Sequence, residues 1–381
     1  MIDLNKTIAV ITVLLVSHTV SAEMAAPDDA TQQIIEEMGL AQADTALRDN
    51  PNWDPQKIVI SLPASLAQRN PGLERQLRRS AGNTTLVFDT SENMVPGAEA
   101  LAGADAIISL CTQAIIDNAS PRLLWLHSYT AGVDGCSELT QAQIEGRVFT
   151  NSKRLMGPAI AEHAMAMLLS LAAKLPHYHA AQSGSRWDRS PASRTGFGEL
   201  RGKTVLVVGL GGIGTEIAWR AHGLGMKVIA TRNSSRTGPD FVEYVGLSDE
   251  LPELAARADV IVNALPLTDT TTGIFNRAFF DKAKPGAIFI SVGRGASTVT
   301  TDLIVALESG KLYGAGLDVT DPEPLPADSP LWKMSNVIIT PHVSAASAGS
   351  MKRVAAIAAE NLRRYVEGGH LLNIVNMKAG Y

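Results

Sequence analysis

Three short stretches in the second half of the chain carry side chains suited to holding an anion and exchanging a proton. Arg294 stands between glycines in Val292-Gly293-Arg294-Gly295. Glu323 lies in a proline-rich run that begins at Asp318, and His342 lies in Thr340-Pro341-His342-Val343-Ser344. A guanidinium clasps a carboxylate or an oxyanion with two donors. An imidazole exchanges protons near neutral pH, and a carboxylate beside it fixes which ring nitrogen carries the proton. Each stretch closes an apolar, strand-like run. Open α/β sheets bind ligands outside the carboxyl ends of their strands, so the three side chains are expected to converge there.

Upstream lies a glycine loop, Gly209-Leu210-Gly211-Gly212-Ile213-Gly214, preceded by the strand-like Thr204–Val208 and followed by a helical pattern over Thr215–His222. That context makes it a dinucleotide fingerprint. Gly209 permits the tight turn, Gly211 lets the backbone approach a pyrophosphate, and Gly214 lets helix and strand pack closely; Gly212 and Ile213 open the helix whose N–H groups face the phosphates. The next strand leads into Arg232-Asn233-Ser234-Ser235-Arg236, with no acid between Glu216 and Asp240. An NAD site wants an acid there for the ribose hydroxyls, whereas a 2′-phosphate wants donors. Arg232, Asn233, Ser234 and Arg236 therefore predict NADP(H), with NAD as the alternative.

These residues need two β/α series to position them. The first comprises Lys57–Leu62, Thr84–Phe88, Asp105–Ser109, Leu123–His127 and a weaker Val148–Thr150. The second comprises Thr204–Val208, Lys227–Ala230, Val260–Ala264, Ala287–Val292, Gly314–Val319 and Val337–Thr340. Short β-branched runs alternating with helical stretches describe parallel sheets with crossover helices. Between the series, Pro158–Leu175 is apolar on nearly every face and reads as one long buried helix. Ser350–Glu367 reads as an Ala-rich closing helix with its charges on the exposed side. An accessory helix is expected from Asp28 or Asp29, breaking at Gly39.

The chain has 381 residues, 33 Lys+Arg against 38 Asp+Glu, 45% hydrophobic and 19% charged residues. This composition excludes disorder and implies two domains. Without a basic stripe, nucleic acid is not an expected partner. Cys111 and Cys136 are too few for a disulfide framework or a Cys-rich metal site and read as partly buried fillers. His163 reads as structural, His177 and His179 are too closely spaced for one helical face, and no metal site is expected. Residues 1–22 pair a ten-residue apolar core, Thr7–Val16, with small residues at Val20-Ser21-Ala22, which resembles a secretory signal peptide. The expectation is export to a periplasm-like compartment, or a cytoplasmic enzyme if the leader does not function. No later run is long enough to be a transmembrane segment.

Taken in order, GLGGIG, NALPLT, SVGRGA, LDVTDPEPLP and TPHVS resemble the D-isomer-specific 2-hydroxyacid dehydrogenase family, from about Lys57 onward. The resemblance implies an α/β fold of two doubly wound parallel-sheet domains. A Rossmann cofactor domain (156–343) would join a smaller, discontinuous flavodoxin-like substrate domain (55–155 and 344–381), after an N-terminal extension (23–54). It implies Arg294 as the substrate-binding arginine, Glu323 as the acid partner and His342 as the proton donor and acceptor. It implies that the loop Tyr129, Thr130, Ala131 and Gly132 holds the substrate carboxylate through backbone N–H groups, and that Leu265, Pro266 and Thr268 flank the adenosine side. Asp318 matches a position near the nicotinamide amide. Where the family usually has Arg, this chain has Lys174. The implied reaction is hydride transfer from the nicotinamide to a small 2-oxo acid of the glyoxylate or hydroxypyruvate class, in a homodimer. The alternatives are NAD-dependent oxidation of a larger acid such as 3-phosphoglycerate, against which the lack of a regulatory domain after Tyr381 would weigh, and a dinucleotide-sensing binding protein. Export and NADPH pull against each other, since little NADPH is found outside the cytoplasm.

Overall fold

The computed structural model describes residues 26–189 and 197–380; the leader at 1–22 and its Val20-Ser21-Ala22 lie outside the described residues. Apolar runs build two all-parallel sheets whose central strands are buried on both faces. The first contains β1 (Lys57–Ser61), β2 (Thr85–Asp89), β3 (Ala106–Ser109), β4 (Trp125–Ser128) and β5 (Val148–Asn151), in the order β2-β1-β3-β4-β5. The second contains β6 (Thr204–Val208), β7 (Lys227–Thr231), β8 (Tyr244–Gly246), β9 (Val260–Asn263), β10 (Ala287–Ser291), β11 (Leu312–Leu317) and β12 (Val337–Ile339). Their order, β12-β11-β10-β9-β6-β7-β8, reverses direction between β6 and β9. That reversal opens a crevice at the strand ends.

The closing helix, Ala348–Val366, returns to the first sheet. Its Val354, Ile357, Ala358, Leu362 and Tyr365 are buried in one cluster with Ile58, Leu77 and Trp125. Its charges do not all face solvent: Glu360 and Arg364 are 5% and 6% exposed. Burial is tolerated because Arg364 Nε and Arg363 Nη2 both reach Glu360 Oε1, at 2.6 and 2.7 Å, and Arg364 Nη1 donates to the His370 carbonyl. The accessory helix runs from Asp29 to Glu37, capped by the Asp28 carboxylate on the Thr31 N–H, and Gly39 follows with φ +56°. It packs against the closing helix.

Two other readings change. The long apolar helix runs Gly157–Ala172, ending three residues before the expected Leu175; Lys174 takes φ 57°, and a second helix that the sequence did not suggest follows at Leu175–Ser183. Pro176 has no N–H for the Ala172 carbonyl and its ring would clash with it, so the first helix cannot continue. Cys111 and Cys136 are not fillers but a disulfide, with Cα atoms 5.5 Å apart and 25 residues of separation. A pair is too few for a framework, but one bond needs only two neighbouring loops. Here those loops follow β3 and β4, adjacent strands.

Candidate active site

The glycine loop follows β6 and opens the helix Gly212–Gly223. A Cβ placed on Gly214 would lie 2.1 Å from the Gly209 carbonyl oxygen, so only glycine allows this turn to close. Space above Gly211 is open to 4 Å, and the first N–H groups of a helix have no intrahelical partner. The loop Leu265-Pro266-Leu267-Thr268 follows β9 across the crevice and is pinned by the Thr271 hydroxyl on the Pro266 carbonyl at 2.7 Å. At the end of β7, Arg232 Nε is buried without a hydrogen-bond partner among the described residues. Arg236 pairs with Glu250 at 2.7 Å and donates to the Tyr244 hydroxyl at 3.0 Å. The region between Glu216 and Asp240 lacks acids, but Glu250 arrives from the following turn. These donors, the glycine turn and the open space fit a dinucleotide phosphate.

The three chemistry-bearing side chains sit at the ends of neighbouring strands. His342, after β12, has φ 54° and is 47% exposed in its side chain. Its Nδ1 lies 2.9 Å from Glu323 Oε2, which leaves Nε2 as the ring nitrogen for a ligand. Glu323 is held from the other side by the Thr320 N–H, which donates to Oε1 at 3.1 Å. Asp318, at the end of β11, is buried and accepts from the Thr340 hydroxyl at 2.6 Å and from the Val343 and Ser344 N–H groups at 3.0 and 3.1 Å. Burial alone would raise its pKa, yet the donors at Ser344, Thr340 and Val343 outweigh it and hold the carboxyl below the ordinary range. Asp318 thus anchors the turn that presents His342. His163 joins this anchor through Thr340 Oγ1 at 2.9 Å and approaches Asp318 to 3.7 Å.

Arg294 follows β10. Its Nε donates to Asp134 Oδ2 of the first domain at 2.9 Å and its Nη1 to the Gly293 carbonyl at 2.8 Å. Its Nη2 lies against Gly132, where a Cβ would come within 2.0 Å of it. In that facing loop, the Tyr129 N–H is taken by the Ser109 carbonyl at 2.9 Å and Thr130 N–H by Ser128 Oγ at 3.3 Å. The Tyr129 ring is buried, its hydroxyl unpartnered, and burial pushes its phenol pKa up. Tyr129 and Thr130 therefore shape the loop, whereas the Ala131 and Gly132 N–H groups make no hydrogen bond among the described residues. Asp134 and Asn263 stand inside motifs visible in the sequence, but the contacts of their side chains were not legible there. Asn263 Nδ2 donates to Ser291 Oγ at 3.0 Å and Ser297 Oγ at 2.8 Å, tying β9 to β10 and to the Arg294 turn.

A glycine-loop dinucleotide domain with an Arg, Glu and His at the crevice defines a nicotinamide-dependent dehydrogenase. The chain belongs to the D-isomer-specific 2-hydroxyacid dehydrogenase family, whose NAD-binding domain matches residues 165–344. It is 32% identical over 286 residues to the human glyoxylate reductase/hydroxypyruvate reductase, covering 73% of this chain and 87% of that protein. It is 33% identical over 290 residues to the glyoxylate reductase of Thermococcus litoralis, covering 73% and 85%. Among solved structures it resembles the NADPH-dependent glyoxylate/hydroxypyruvate reductase of Sinorhizobium meliloti in complex with NADP and sulfate, at 27% identity and TM-score 0.70, covering 86% of this chain and 100% of that one. The protein is thus an NAD(P)-dependent oxidoreductase of 2-hydroxy acids.

Proposed function

We propose that the enzyme reduces small 2-oxo acids of the glyoxylate or hydroxypyruvate class to D-2-hydroxy acids, with NADPH preferred over NADH. The observation that carries this reading is the His342–Glu323 pair at 2.9 Å, at the same sheet end as an arginine set against two unpaired N–H groups. The substrate carboxylate is held by Arg294 Nη2 and the N–H groups of Ala131 and Gly132. Arg294 also faces the carbonyl oxygen, where negative charge grows. A nicotinamide dinucleotide held in the crevice would supply the hydride for the carbonyl carbon. His342 gives its Nε2 proton to the oxygen, completing the hydroxyl, and Glu323 orients the ring through Nδ1. The half-exposed imidazole then regains a proton from water.

The cofactor assignment rests on donors. The first-turn N–H groups of Gly212, Ile213 and Gly214 suit the pyrophosphate, and Leu265, Pro266 and Thr268 suit the adenosine side. Arg232, Asn233, Ser234 and Arg236 suit the 2′-phosphate. Absorbance at 340 nm with NADPH or NADH and a panel of 2-oxo acids tests the reading: oxidation of NADPH with glyoxylate or hydroxypyruvate supports it, and no turnover with any pair would sink it.

A homodimer through the cofactor domain is supported by exposed apolar side chains on adjoining segments: Leu169 (42%), Leu175 (50%), Trp187 (93%) and Trp219 (58%). Light scattering should give twice the chain mass, and a monomer would refute it. Export is supported by the disulfide, since such bonds persist in oxidising compartments; intact-mass analysis of cell fractions, showing loss of residues 1–22 or not, decides it.

A further inference from the structure

The disulfide lies where the substrate-facing loop is built. Cys111 sits two residues beyond β3, and Cys136 closes the short turn Asp134–Cys136 that follows the loop after β4. The two backbones touch between them: a Cβ on Gly135 would lie 2.5 Å from the Cys111 carbonyl oxygen. Cys111, Val133 and Cys136 are 5%, 3% and 2% exposed, so the turn is clamped against the first domain's core rather than draped over it. The residue that opens this turn is Asp134, whose Oδ2 accepts from Arg294 Nε at 2.9 Å. The same carboxylate oxygen and Arg294 Nη2 both crowd the Gly132 Cα, where a Cβ would meet them at 2.5 and 2.0 Å.

Resting on the reading of Arg294 as the carboxylate-binding residue, we propose that Asp134 is a positioning residue for Arg294, and that the Cys111–Cys136 bond holds Asp134 in place to do it. With Nε on Asp134 and Nη1 on the Gly293 carbonyl, the guanidinium plane is fixed at two of its nitrogens. Its Nη2 edge is then presented to the loop at Gly132 without a search through the many rotamers of a free arginine. Preorganising a charged donor in this way strengthens binding mainly by removing an ordering cost that would fall at the moment of association. The ion pair crosses between domains, so only a turn that is itself immobile can transmit position to Arg294. The covalent link supplies that immobility.

The test is a double-mutant cycle in the full-length enzyme with Asp134→Ala, Cys111→Ser/Cys136→Ser, and the triple variant. Two quantities are read: kcat/KM for the best 2-oxo acid, and the calorimetric Kd of oxamate, a non-reacting 2-oxo acid analogue. Removing one hydrogen bond to a charged group should weaken both by about tenfold. The serine pair should weaken both by a similar factor of about tenfold, and the triple variant should be no worse than Asp134→Ala alone, because the bond acts through Asp134. The Kd for NADPH should stay within about twofold in all three, since loss through general unfolding would move it as well. Multiplicative losses in the triple variant, or a serine pair that binds oxamate like the wild type, would overturn the proposal. Should the serine pair not fold, Cys111→Ala/Cys136→Val, which refills the space with apolar atoms, takes its place. A wild type without turnover would sink the reductase reading, while the oxamate cycle still judges the positioning unit on its own.

Discussion

At the scale of single residues, the polar side chains that end apolar runs were legible because their types announce chemistry: an arginine between glycines, a histidine after Thr-Pro, an acid in a proline-rich turn. Their partners were not. Asp134 meets Arg294 across 160 positions, and Glu250 reaches Arg236 from outside the stretch that follows β7. A lone acid carries no mark of the cation it will face once the chain has folded. The arginines after β7 predict that Arg232→Asp will lower the NADPH-to-NADH ratio of kcat/KM by at least about tenfold, the size of one charge-assisted contact replaced by repulsion. Parallel assays at 340 nm check this, and an unchanged ratio would mean that the 2′-phosphate lies elsewhere.

At the scale of elements, eleven of the twelve strands among the described residues were visible as short apolar runs, because burial of the central strands on both faces leaves a continuous apolar signature. The exception is β8, Tyr244–Gly246, an edge strand of sequence Tyr-Val-Gly, whereas the equally short edge strand β12 shows itself as Val-Ile-Ile. The helix Leu175–Ser183 hid for a different reason: LPHYHAAQS buries only Ala181 and carries no apolar stripe at helical spacing. Position within an element matters most at Gly214. A methyl group there would collide with the Gly209 carbonyl at 2.1 Å, so Gly214→Ala must push the helix off β6. We expect a loss of about 1–3 kcal/mol in stability and a larger loss of dinucleotide affinity. Denaturant melts and fluorescence titration with NADPH measure the two separately.

At the scale of the molecule, the two sheets carry different loads. The second supplies the cofactor crevice and the Arg–Glu–His strand ends. The first supplies the facing loop and holds it through a polar core: His127 is fully buried on β4, with Nδ1 2.9 Å from Thr150 Oγ1, which also accepts from Trp125 Nε1. Burial lowers the His127 pKa from 6.5 to about 3. The unfolded chain therefore binds a proton that the folded one refuses, and stability is full above pH 6.5 and falls as pH drops toward about 3. One such group gives a slope of up to about 1.4 kcal/mol per pH unit. Urea melts between these limits should show that slope in the wild type and a shallower one in His127→Gln. The disulfide was the feature least legible from the chain, because two cysteines 25 residues apart say nothing until β3 and β4 lie side by side. What joins all scales is the proposed role of His342: held by Glu323 and by the Asp318-anchored turn, it would deliver the proton to a substrate clasped from the opposite domain. The most direct measurement is kcat for His342→Ala beside its Kd for NADPH. If His342 is the proton donor, kcat falls at least about a hundredfold with the Kd unchanged; a variant that turns over at the wild-type rate would contradict that role.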